Sequence, residues 1–225
     1  MEAKIVGISG SVRAGGATEY SVKACLEAAE SVPGIHTQFI SLRGKKISPC
    51  IHCDNCIRKR ELCSIKDDFQ EIQEEILSAD GLIISSPIYC MGSAPFILNV
   101  MSRLRPTFLL YPGHFAYRVG GAIAVGGTRN GGQDTTLQNL LGYMQTFEIV
   151  ITGGPGGNYN GASVWSQDNR AAGAEADEIG MKTVTGLGKR VAELALILKT
   201  GKETLEERGL DFQKPGVWFL RDGQE

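Results

Sequence analysis

The chain has 225 residues, 42% of them hydrophobic, with 23 basic side chains against 25 acidic ones. That balance leaves no electrostatic footprint for sequence-independent nucleic-acid binding, and no stretch reaches the roughly 20 apolar residues that span a bilayer. The first residues lack the basic head and apolar run of a secretory signal, so a cytoplasmic protein with reduced thiols is expected, and its six cysteines point to metal or redox chemistry rather than disulfides.

Short apolar runs alternate with segments of helical period. Residues 4–8 read as a first strand ending in the stretch Gly7-Ile8-Ser9-Gly10-Ser11-Val12-Arg13-Ala14-Gly15-Gly16. A helix follows with Val22, Cys25, Leu26 and Ala29 on one face. Residues 36–41 form a second strand, and a cysteine-rich segment comes next. Asp67 and Gln70 then have the spacing of a capping box, opening a helix that buries Phe69, Ile72, Ile76 and Leu77. Residues 81–85 are a strand without alternation, as expected where both faces are covered. Residues 119–125 and 148–152 supply a fourth and a fifth strand, with a helix marked by Leu137, Leu140, Leu141 and Met144 between them. A long helix from about 174 to 199 carries Ile179, Val184, Leu187, Val191, Leu194 and Ile197. Five strands alternating with helices predict a parallel sheet covered on both faces. The expected organisation is one domain over residues 1–202, including a cysteine loop at 48–66. A tail at 203–225, with Val217, Trp218, Phe219 and Leu220, suits a contact with its own domain or with another subunit.

The loop after the first strand lies where open parallel sheets bind ligands, outside the carboxyl ends of the strands. Its hydroxyls, its backbone amides, Arg13 and the start of the next helix suit a phosphate. Neither a Walker A pattern nor a G-x-G-x-x-G fingerprint is present, which argues against a P-loop nucleotide or an NAD held in the Rossmann manner. A loop that only turns the chain is the alternative. Cys50-x2-Cys53-x2-Cys56-x6-Cys63 is the most specific feature. Closely spaced cysteines of this kind hold iron–sulfur clusters. With no second set present, Cys63 is the natural fourth ligand. Arg58, Lys59 and Arg60 lie where they would offset the cluster's charge or steer an acidic partner. Structural zinc, or a loop without a metal, remains the rival. Cys25 belongs to the core. His36, His52 and His114 carry no assigned role.

Gly10-Ser11-Val12-Arg13 after the first strand, Ser86-Pro87-Ile88-Tyr89 after the third, and Gly126-Gly127-Thr128-Arg129-Asn130-Gly131-Gly132-Gln133 after the fourth occur in order together with the cysteine motif. Over about residues 4–200 this set resembles the iron–sulfur flavoproteins of the NADPH-dependent FMN reductase group. The resemblance implies a flavodoxin-like, doubly wound five-stranded parallel sheet in the order 2-1-3-4-5, with a cysteine-rich insertion after strand 2. It implies that Ser9, Ser11, Arg13 and Thr18 hold an FMN phosphate. Pro87, Ile88, Tyr89, Cys90, Met91 and Gly92 would run along the isoalloxazine, and Gly127, Thr128, Arg129 and Asn130 would close its other side. Cys50, Cys53, Cys56 and Cys63 would carry a 4Fe-4S cluster. Family members often have Asn before the helical Thr, where this chain has Ala17. Cys90 reads as a structural thiol or as a contact to flavin or substrate. Trp165 and Tyr159 would cap the flavin or pack on their own domain. The implied partners are NAD(P)H or a ferredoxin as donor and a small-molecule acceptor, in a homodimer or homotetramer. Two other functions fit the same residues: an NAD(P)H-dependent FMN or quinone reductase whose cysteine loop is structural, and a flavin-binding module without turnover.

Overall fold

The computed structural model describes residues 1–154 and 159–210. The elements run β1 (Ala3–Ser9), α1 (Ala17–Glu30), β2 (Ile35–Ser41), α2 (Asn55–Lys59), α3 (Phe69–Leu77), β3 (Gly81–Tyr89), β4 (Gly92–Ser93), α4 (Pro95–Arg103), α5 (Thr107–Leu110), β5 (Val119–Gly126), α6 (Gln133–Thr146), β6 (Val150–Ile151), β7 (Ala162–Trp165), α7 (Arg170–Glu175) and α8 (Glu178–Glu207). Hydrogen-bonded neighbours follow the path β2-β1-β3-β5-β6, all parallel, with β4 antiparallel to β3 and β7 parallel to β5.

The sheet therefore has seven strands, not the five expected. Part of the difference is an edge built in two pieces: β6 pairs with Val119 and Gly120, and β7 takes over beside Ile123 through Gly126. The predicted fifth strand shrinks to Val150–Ile151, because Thr152, Gly153 and Gly154 lead the chain away before β7 brings it back. The other addition is β4, which folds back on the end of β3 in a tight hairpin.

Side chains alternate across the strands, and the alternation creates two cores. On one face Val6, Ile8, Leu82, Ile84, Ala122 and Ala124 pack under α3, α4 and α6. On the other, Ile5, Ile83, Ile123, Val125 and Val164 pack under α1, α7 and α8. Every residue of β5 is buried, as expected for a central strand covered on both sides. Cys25 is fully buried in the second core, and burial pushes its thiol far up from the ordinary range.

Two helical expectations change. The single helix predicted over 174–199 is two, because Asp177 interrupts it and caps α8 by accepting from the Gly180 amide at 3.1 Å. Ile179 and Ile197 are exposed at 72% and 60%, so they lie off the packed face. That face is instead Gly180, Thr183, Val184, Leu187, Gly188, Val191, Ala192 and Ala195, and its small residues let α8 lie close against α1. α8 continues to Glu207, past the boundary drawn at 202. Val217, Trp218, Phe219 and Leu220 lie outside the described residues, as does the middle of the 153–161 glycine run.

Candidate functional site

At the carboxyl ends of β1, β3 and β5 the chain leaves an open cleft of about 150 Å³. Its walls include Ser11, Arg13 and Thr18 from the first loop, Pro87, Ile88 and Tyr89 from the end of β3, and Gly127 from the loop after β5. Residues from three separate loops thus meet at one place, the topological position favoured by ligands in such sheets. Gly16 precedes α1 without a side-chain cap, and both Gly16 and Ala17 line the cleft. The first amides of a 14-residue helix therefore face it, a geometry that attracts anions. Ser11 Oγ accepts from the Arg13 amide at 3.2 Å and holds the loop's curve. Ser9 does not line the cleft. It is fully buried at the end of β1, and its hydroxyl has no hydrogen-bond partner.

The segment after Tyr89 is more constrained than sequence suggests. Tyr89 pairs with Gly92, leaving Cys90 and Met91 as a two-residue turn with φ of 48° and 68°. Both angles positive is the pattern of a type I′ hairpin, usually made with Asn or Gly. Tyr89, Cys90 and Met91 are all exposed, so this tip presents side chains outward from a strained backbone. Cys90, Met91 and Gly92 do not line the cleft itself. Gly132, with φ of 103°, sits against the tip: a Cβ there would lie 2.8 Å from Met91 Cα.

Thr128, Arg129 and Asn130 also stand outside the cleft wall. Thr128 is held by its carbonyl, which accepts from Gln133 Nε2 at 2.6 Å. The Arg129 guanidinium lies 4.5 Å from the Trp165 ring centre, and Trp165 Nε1 donates to the Gly127 carbonyl at 2.9 Å. Trp165 is thus bound to the loop after β5, whereas Tyr159 is 93% exposed. Sequence reasoning missed Ser166, Asp168 and Arg170, which also line the cleft. Their signal was weak, because β7 itself is only four residues long.

A second site lies in the cysteine loop. Cys50, Cys53, Cys56 and Cys63 all line one small cavity, together with Asp54 and Arg105. The backbone curls sharply there: His52, Asp54 and Arg60 have φ of 52°, 55° and 51°. Between the last two lies the single turn of α2, which carries Cys56. Arg105 donates to Asp54 at 2.6 Å and holds that carboxyl below the usual carboxylate range. Burial pushes the Cys56 thiol up, against the pull of the Arg105 charge. All four cysteines are unbridged.

The base of this loop is clamped by a residue that sequence did not single out. Arg103, at the end of α4, has a side chain with no solvent exposure. It donates to both carboxylate oxygens of Asp67 at 2.7 and 2.6 Å, to the Ile65 carbonyl at 2.8 Å and to the Ser48 carbonyl at 3.4 Å. Its guanidinium lies 4.4 Å from the Phe69 ring centre. Ser48 and Ile65 bracket the four cysteines, so one buried cation joins the loop's two ends. Asp67 also accepts from the amides of Ser48 and Phe69, while Gln70 accepts from the Asp67 amide; α3 is capped at Asp68, so only this half of the expected capping box forms.

Comparison with known proteins agrees with this architecture. Residues 3–155 match the family described as NADPH-dependent FMN reductase. The chain is 41% identical over 191 residues to an iron–sulfur flavoprotein of Archaeoglobus fulgidus, covering 84% of this chain and 96% of that protein. It is 38% identical over 199 residues to an iron–sulfur flavoprotein of Methanocaldococcus jannaschii, covering 87% and 99%. In fold it is similar to a WrbA-like flavodoxin of Agrobacterium tumefaciens, with a TM-score of 0.60 at 16% identity over 87% of this chain and 99% of that one. The chain accordingly belongs to the NADPH-dependent FMN reductase family, among its iron–sulfur flavoproteins, and is a flavin-dependent oxidoreductase.

Proposed function

We propose that this oxidoreductase uses both FMN and a 4Fe-4S cluster, joining a two-electron flavin step to one-electron transfer. Bound FMN exchanges electrons in pairs or singly, and an iron–sulfur cluster exchanges them one at a time. The observation that carries the second half is the placement of the cysteines. Four of them line a single cavity, and closely spaced cysteines that converge on one place are the donor set of an iron–sulfur cluster.

The protein's own part is placement and electrostatics. Ser11, Thr18, Arg13 and the first amides of α1 bind the phosphate end. The buried, partnerless hydroxyl of Ser9 beneath that loop fits a fold that keeps polar groups ready there. Pro87, Ile88 and Tyr89 form the wall beside the ring, and the Cys90–Met91 tip and Gly92 extend it. Gly127, Thr128, Asn130 and Arg129 close the far side, with Arg129 fixed by its stacking on Trp165. Arg105, beside the thiols, offsets negative charge in the cysteine cavity. The electron donor is NAD(P)H or a ferredoxin, the acceptor a small molecule, and the working form a homodimer or homotetramer in the cytoplasm. Among the described residues no helix is long and apolar enough to cross a membrane.

Iron, acid-labile sulfide and flavin measured on anaerobically purified protein test this directly. Four irons and one FMN per chain are expected. Cys56→Ala should remove the iron and leave FMN bound, since the two sites use different loops. FMN without iron in the wild type would leave a reductase with a structural cysteine loop. Flavin that no donor reduces would leave a binding module.

A further inference from the structure

The cleft has a wall beyond the three expected loops. Ser166, Asp168 and Arg170 line it together with Ser11, Arg13 and Thr18. The turn that carries them is held in an uncommon backbone state: Gln167, Asp168 and Arg170 have φ of 52°, 50° and 48°. Residues with a Cβ avoid that region, and it persists only where surroundings enforce it. Here they do. The Ser166 amide and hydroxyl donate to the Gly126 carbonyl at 2.8 and 3.1 Å, and the Asn169 amide donates to the Ser166 carbonyl at 2.8 Å. The Asp168 carboxylate fills the space that a side chain at Gly127 would need.

This turn brings a second guanidinium to a cleft that already has one. Arg13 and Arg170 both line it, and neither has an ion-pair or hydrogen-bond partner for its side chain among the described residues. Two unpaired cations sharing one cavity with the start of a long helix call for a dianion. A phosphate monoester carries about −1.5 to −2 charge at neutral pH. The helix start supplies about +0.5 and Arg13 a full charge, while the Asp168 carboxylate on the same wall takes one away, so the balance calls for one more cation.

We propose that Arg170 is a second phosphate-binding guanidinium that grips the FMN phosphate together with Arg13. This rests on the FMN site described above. Riboflavin differs from FMN only by the missing phosphate, so titrating flavin-free protein with each and following flavin fluorescence isolates the phosphate contribution. The wild type should bind FMN far more tightly than riboflavin. Arg170→Ala should weaken FMN by about tenfold, the scale of one charge-assisted contact, and leave riboflavin affinity unchanged. Arg170→Lys should fall between, and the difference should shrink as salt is raised. Should Arg170→Ala not fold, Arg170→Gln serves the same comparison with the side chain's bulk retained. An unchanged FMN affinity, or an equal weakening of both flavins, overturns the role of Arg170. A wild type that binds neither flavin, or both equally, overturns the FMN site itself.

Discussion

Arg103 shows how much one side chain can organise. A guanidinium without solvent exposure is costly to bury unless its donors are met; here Asp67, Ile65 and Ser48 satisfy its two terminal nitrogens, while Nε is left without a partner. Removing it leaves Asp67 buried without its cation. Arg103→Ala is expected to lower unfolding stability by about 3–5 kcal/mol, measured by urea titration of the metal-free protein. The folded fraction should still bind FMN, because the cleft shares no residue with the clamp. Asp67 adds a pH signature. Burial works to raise its pKa, but the Arg103 hydrogen bond and the amides of Ser48 and Phe69 prevail, and the carboxyl is held below its usual range. Its folded-state pKa is thus below the unfolded value of about 3.9, so its stabilisation is complete above that value and is lost as pH falls through the depressed one. The stability gap between wild type and Asp67→Asn should be wide at pH 7 and narrow in strong acid. A constant gap would show that the pair's charge contributes nothing.

Among the elements, the hairpin after β3 and the loop after β5 depend on each other through Gly132. Its φ of 103° strains any residue with a side chain, and a Cβ there would meet the Met91 backbone. Gly132→Ala should cost about 1–2 kcal/mol for the backbone alone and weaken flavin binding as the tip is displaced, read by thermal melting and flavin titration together. The same elements show what sequence could and could not reveal. β1, β3 and β5 were legible because continuous apolar runs mark strands covered on both faces. The cysteine spacing and the loop after β1 were legible because their chemistry is local, whereas the loops after β3 and β5 were read through the family resemblance and only Pro87, Ile88, Tyr89 and Gly127 of them line the cleft. β4 was not, since a two-residue strand has no periodicity and Cys90-Met91 is not a usual type I′ pair. β7 was hidden behind a run of glycines. α4 begins with Pro95 at its first turn, a start signal that was present and unused. In α8 the large residues Ile179 and Ile197 misled, because close approach to α1 selects small residues: a side chain at Gly188 would strike the Cys25 carbonyl. Arg103 was invisible because nothing in the sequence pairs it with Asp67, 36 residues away.

At the scale of the whole molecule, stability and ligand binding are anchored at opposite ends of the sheet. Asp80 precedes β3, at the end remote from the cleft, and is 6% exposed. It accepts from the Lys4 amide at 3.0 Å and Lys199 Nζ at 2.9 Å and pairs with Arg118, so it ties β1, α8 and the approach to β5 together. Asp80→Ala should cost about 2–3 kcal/mol of stability, measured by urea unfolding, with FMN affinity of the folded protein unchanged. A parallel loss of affinity would mean that the two ends are mechanically joined. On the cleft side such joining is built in. α4 starts two residues after the hairpin's second strand and ends on Arg103, under the thiol loop. The spacing between the hairpin and the cysteine loop is therefore recorded as a tally of helical residues, nine in all. Adding a single residue to α4 would rotate its far end by about 100° and swing Arg103 from beneath the cysteines while leaving the hairpin in place. Helix length here is a ruler, and it cannot be edited by one unit without separating the cysteine loop from its support.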